Sequence, residues 1–142
     1  MRKEQTEMAF SIKHVFLTLC FLMLGYMSYA THQRAGYITY RHLIGMTYEV
    51  TIVTYTYTPS PADRPKLEIS WGDGSSEEIE RIEKVDLPDE ISRNTYVGQH
   101  TYTSPSTYTL SVEDKNRNGG VLNIPNSVNV AFYIETLSLI HI

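Results

Sequence analysis

Three histidines of the central chain, His32, His42 and His100, are the first candidates for a base or a metal ligand. No His-x-x-x-His pair or Cys/His cluster gives them zinc-site spacing. His100 precedes Tyr102 by two residues on one strand face, the setting of a packed, hydrogen-bonded histidine. Oxygen ligands concentrate at Asp73, Ser75, Ser76, Glu77 and Glu78, and Glu113-Asp114 can approach from another loop. Calcium takes six or more oxygens, so Asp73, Glu77 and Asp114 are the calcium candidates; no other cofactor is indicated. A solvated acidic turn is the plainer alternative. Glu77 and Glu78 do not make a glycosidase pair, because adjacent strand residues face opposite ways. With no nucleophile elbow, H-E-x-x-H, phosphate loop or dinucleotide fingerprint in the chain, catalysis is not expected. Tyr37, Tyr40, Tyr55 and Tyr57 carry a different chemistry. Exposed, Tyr55 and Tyr57 form an aromatic ladder suited to carbohydrate or protein contact; otherwise they cover the edge of the core.

The elements that position these groups follow from composition and periodicity. The chain has 142 residues. Residues 1–30 read as a secretory signal peptide: Arg2, Lys3 and Lys13 lead, Val15 to Leu24 is an apolar run, and Ser28-Tyr29-Ala30 offers a cleavage site. That run is short of the ~20 apolar residues of a spanning helix. The only cysteine, Cys20, falls inside it, with Leu19 where a lipoprotein signal needs a small residue. The remainder therefore has no disulfide and needs a packed core, for which one ordinary domain's length is available. Beyond residue 30 there are 9 basic and 14 acidic groups, a balance that argues against a nucleic-acid partner.

Alternation of two, not a helical period, recurs beyond residue 30. Leu67, Ile69 and Trp71 form one such face, Tyr108, Leu110 and Val112 a second, and Val128, Val130, Phe132 and Ile134 a third. Gly36–Arg41 is a short strand, with Leu43–Met46 as its hairpin turn around Gly45. Thr47–Thr58 is the longest strand, and its apolar phase slips from Tyr48, Val50, Ile52 to Val53, Tyr55, Tyr57. A β-bulge near Ile52–Val53 explains the slip; without one, Tyr55 and Tyr57 lie on the outer face. Residues 95–102 add a strand, and Ile79–Val85 is read as a short edge strand. Pro59–Pro65, Gly72–Gly74, Pro88–Glu90, Ser104–Ser106 and Asn116–Gly120 punctuate the chain. About seven strands so spaced predict an all-β, two-sheet sandwich.

Trp71-Gly72-Asp73-Gly74-Ser75, then His100-Thr101-Tyr102, then Pro105-Ser106-Thr107-Tyr108-Thr109-Leu110-Ser111-Val112-Glu113-Asp114 resembles the PKD (polycystic kidney disease) domain family over Leu67–Asp114. The Asp-Phe usual before Gly-Asp-Gly is missing, and Ser106 stands where glycine is common. The resemblance implies an immunoglobulin-like sandwich with Trp71, Gly72, Asp73, Gly74, His100, Tyr102, Tyr108 and Asp114 as structural motif residues. Trp71 then belongs in the inter-sheet core and Tyr108 in a tyrosine corner. Residues 31–58, with Thr31-His32-Gln33-Arg34-Ala35-Gly36-Tyr37-Ile38-Thr39-Tyr40, look like the start of large gliding-motility-associated surface proteins of Bacteroidetes. In those, a His-x-x-Gly-Gly-x-(Ile/Leu)-x-Tyr segment begins the mature chain; here Ala35 replaces one glycine.

That likeness implies the first module of a longer cell-surface protein sorted by a type IX-type route. The domain is expected over 31–135, its last strand being Asn129–Ile134. Residues 136–142 form a tail that looks like translated linker sequence and is expected not to be native. The expected function is non-catalytic: structure or adhesion at the surface. Its partners are the other domains of the same chain and extracellular protein or polysaccharide. A carbohydrate-binding module, or an accessory domain of a secreted enzyme, is the alternative.

Overall fold

The computed structural model describes residues 32–140; the expected signal peptide lies outside them. Their strands are β1 (Gln33–Ile44), β2 (Thr47–Tyr57), β3 (Lys66–Ser70), β4 (Ser76–Leu87), β5 (Ile91–Thr101), β6 (Ser106–Asp114) and β7 (Phe132–Ile140). The fold is all-β: every ladder is antiparallel, in one nearly closed sheet of order β1-β2-β5-β4-β3-β6-β7. The dense Thr, Val, Ile and Tyr content of β2 suits this pleated, half-buried setting. Following the ladders, β1 and β7 run in the same direction, so Gln33 and Ile140 lie at opposite poles.

Gly45, at φ +56°, opens the two-residue β1–β2 connection where the Leu43–Met46 turn was expected. The expected bulge at Ile52–Val53 is absent: β2 pairs without interruption against Ile91–Thr101, and its β1 register runs straight through that point. Apolar phase misleads here because the inward face continues through Thr54 and Thr56, both buried. The register shifts lie instead in β1, between Gln33/Ala35 and His42/Ile44, and in β4, between Arg81/Glu83.

Residues 79–85 are not an edge. β4 is shared: Ser76–Glu80 pair with β3, and residues from Arg81 to Leu87 pair with β5. The shift at Arg81/Glu83 resets the inward phase, which leaves Ile82 64% exposed and produces the three-residue apolar spacing. The last strand also differs from expectation. Ser127–Asn129 is a 3₁₀ turn, held where Ser127 Oγ donates to the Asn118 carbonyl and Asn126 takes φ +54°. β7 begins at Phe132 and pairs with β6 past Glu135 as far as Ile140.

One core cluster joins Ile38, Val50, Ile52, Leu67, Ile69, Trp71, Ile79, Tyr96, Leu110 and Val112; Tyr48, Tyr102 and Ile140 form a second near the Ile140 pole. Towards the Gln33 pole the interior becomes polar, with Thr54, Thr56, Ser92, Asn94 and Asp114 all buried. Gly72 fixes how closely β3 meets β6: it sits at φ +81°, and a Cβ there would stand 2.6 Å from the Thr109 carbonyl oxygen. Gly72→Ala is expected to destabilise the domain by about 1–3 kcal/mol, from backbone strain plus displacement of β6. Urea unfolding checks this, Gly74→Ala serving as the comparison without a neighbour within 4 Å.

Candidate functional site

The motif residues converge near the Ile140 pole. The Trp71 main-chain N–H bonds the Ser75 carbonyl at 3.0 Å, closing the Gly-Asp-Gly turn. Within it Asp73 Oδ1 accepts from Ser75 N–H at 3.0 Å and from Ser75 Oγ at 2.6 Å, a side-chain-closed turn. The other carboxylate oxygen lies 2.7 Å from His100 Nε2. The Ser75 hydrogen bonds, joined by His100, hold the Asp73 carboxyl at a pKa of about 2.

His100 in turn stacks on Trp71, 4.8 Å between centroids and 10° between planes, and meets Tyr102 edge-on at 4.7 Å. Tyr102 stacks on Tyr108 at 4.2 Å and donates its hydroxyl to the Trp71 carbonyl at 3.1 Å. Burial pushes the Tyr102 phenol up to about 12. Tyr108 Oη donates to the Ser104 carbonyl, four residues back along the chain, at 3.0 Å. The turn, β5 and β6 are thereby locked by ring stacking and by the Asp73, Tyr102 and Tyr108 hydrogen bonds.

Asp114 is not part of this cluster. Ile69 pairs with Val112 and Ser70 with Ser111, so Asp114 lies towards the start of β3 while the Asp73 turn lies beyond its end. Arg64 holds Asp114 through two charge-assisted bonds, Nε to Oδ2 at 2.8 Å and Nη2 to Oδ1 at 3.0 Å. Gln33 Nε2 and the Asn116 main-chain N–H add 3.1 Å and 3.0 Å bonds. Burial opposes ionisation of Asp114, but these donors outweigh it and the carboxyl titrates below its ordinary range. Next to Arg64, Asp63 grips Arg81 with both oxygens, one at 2.7 Å, and this bond holds Asp63 at about 2. Two adjacent, oppositely charged loop residues therefore clamp β4 and β6, and Tyr96 Oη reinforces the loop by donating to the Arg64 carbonyl at 2.6 Å.

Sequence patterning singled out Asp114 but missed Arg64, Asp63, Arg81 and Gln33. The available signal was Asp63-Arg64 set between Pro61 and Pro65, facing a run of polar residues at inward positions of β2 and β5.

The calcium candidates are not brought together: Asp73 is engaged by Ser75 and His100, Asp114 by Arg64, and Glu77 is exposed opposite Ile69. Among the described residues no three His, Cys, Asp or Glu side chains are grouped to hold a metal ion. His42 lies apart from His100, its Nε2 2.8 Å from the Gly45 carbonyl.

Tyr55 and Tyr57 lie on the outward face of β2 with Val53, half-buried, opposite Arg93 and Ile91 of β5. The Arg34 guanidinium sits 4.9 Å over the Tyr57 ring, and Tyr37 on β1 is 48% exposed. Tyr40 packs towards Tyr48 at 6.3 Å instead.

No family model, curated protein or solved structure matches this chain.

Proposed function

We propose that this chain contributes a non-catalytic module to the bacterial cell surface, exported by residues 1–30 and serving structure or adhesion within a longer protein. In this reading the nearly closed sheet is a PKD-type, immunoglobulin-like sandwich whose two sheets share β4. The observation that carries it is the commitment of Trp71, Asp73, His100, Tyr102 and Tyr108 to one another and to main chain. Such a cluster stiffens a scaffold and leaves its histidine engaged. The opposite placement of Gln33 and Ile140 supports a role in spacing neighbouring domains. Its partners are then other domains of the same chain and extracellular protein or polysaccharide.

The test is surface display. An epitope inserted at the exposed Leu122, produced in a Bacteroidetes host, is expected on intact cells and is removed by external protease. Retention inside unbroken cells overturns the reading.

The outward Tyr37, Tyr55 and Tyr57 favour a second reading, recognition of polysaccharide on the β1–β2 face. A Tyr55→Ser/Tyr57→Ser variant is then expected to lose glycan binding while keeping its melting temperature. Unchanged binding with a fallen melting temperature assigns these rings to stability.

A further inference from the structure

His32 has no part in the cluster around Trp71. It is 3% exposed, and among the described residues neither ring nitrogen has a hydrogen-bond partner. Its main chain is stitched on both sides: its N–H bonds the Asn116 carbonyl at 3.0 Å, and its carbonyl accepts from Tyr57 N–H at 2.9 Å. Gln33 continues the stitch, donating to the Asn116 carbonyl at 2.8 Å and accepting from Asn118 N–H at 2.8 Å. Apart from the Gln33–Arg117 bridge that accompanies these bonds, no ladder joins β1 to the β6–β7 side among the described residues.

The charged groups facing the ring are Asp63 and Arg64 of the loop, Lys84 of β4 and Asp114 of β6. Both carboxylates are already taken, Asp63 by Arg81 and Asp114 by Arg64. An imidazolium formed here has no acceptor held ready for it, and a buried charge without a partner is strongly disfavoured.

We propose that His32 is an acid-sensitive latch, whose protonation releases residues 32 and 33 from the 116–118 loop and frees the start of β1 at the Gln33 pole. Burial lowers the pKa of His32 below its usual 6.5. A depressed histidine is neutral in the closed form, so the latch is fully closed above 6.5 and loses stability as pH falls from there towards the folded-state value. Over that window the opening equilibrium rises about tenfold per pH unit. The neighbouring Asp63, held at about 2, remains charged throughout.

The experiment is amide hydrogen exchange on the whole chain at about pH 7.5 and about pH 5, corrected for intrinsic exchange rates. Protection of the Gln33, Tyr57 and Asn118 amides is expected to fall by more than about twofold in acid, while core amides such as Ile52 hold. His32→Gln is expected to remove that pH dependence. A change below about twofold at those amides, or the same fall in the variant, overturns the proposal. Where His32→Gln fails to fold, a histidine-ring NMR titration of the unaltered protein decides. Ring protonation in step with loss of the Gln33 and Asn118 amide signals supports the latch; protonation with those signals unchanged removes it.

Discussion

Trp71→Ala is expected to cost about 3–5 kcal/mol, a large fraction of the roughly 5–15 kcal/mol that stabilises a domain this size. Trp71 is 1% exposed and lies in the main cluster with Leu67, Ile69, Ile79 and Tyr96. β5 is shaped to receive the ring. Gly98 presents no side chain there, and a Cβ on it would come 2.5 Å from Ile79 Cδ1 and 3.4 Å from Trp71 Cη2. Truncation also removes the surface on which His100 stacks, loosening its hold on Asp73. Urea unfolding at neutral pH measures the loss. Trp71→Phe, which keeps a ring, is expected to lose less, and a Trp71→Ala loss under about 1 kcal/mol contradicts the packing described.

Asp114→Ala is expected to cost about 3–5 kcal/mol, since it strips a buried ion pair of one partner. Arg64, Gln33 Nε2 and the Asn116 main-chain N–H lose their shared acceptor at once. The Arg64 side chain is 38% exposed and can turn towards water, which places the loss near the lower end. Arg64→Met is the companion, and a double-mutant cycle separates the pair from the other bonds. The pH dependence has a definite sign. The Asp114 carboxyl titrates below its ordinary 3.8, so its contribution is complete above that value and fades as pH falls through the folded-state pKa. Asp114→Asn is expected to flatten the acid limb of the stability curve. An unchanged limb contradicts a charged Asp114 in the closed structure.

Legibility in the sequence followed the physics of each position. Trp71 was readable because Leu67 and Ile69 set an apolar phase and Gly72 a turn, both local signals. That the turn's Asp73 meets His100 was not, because the contact joins residues 27 apart. β2 shows the opposite failure. Its inward Thr56 looks solvent-facing until Asn94 is seen donating to Thr56 Oγ1 at 2.9 Å. Polar residues at an inward phase suggest a slip when they mark a hydrogen-bonded interior. β4 was misplaced because its register shift breaks the alternation that identifies a central strand. The Asp114 contacts required the fold: Gln33 is 81 residues away, and Arg64 sits in a loop without periodicity.

The common direction of β1 and β7 has a mechanical consequence. Tension applied between Gln33 and Ile140 pulls β1 lengthwise along β2 and β7 lengthwise along β6. Hydrogen bonds in each ladder are then loaded together, in shear, instead of peeling one at a time. Forced rupture is governed by the unfolding rate. The Asp63–Arg81 and Arg64–Asp114 clamps add rivets to the side-chain bonding near one end of the loaded sheet.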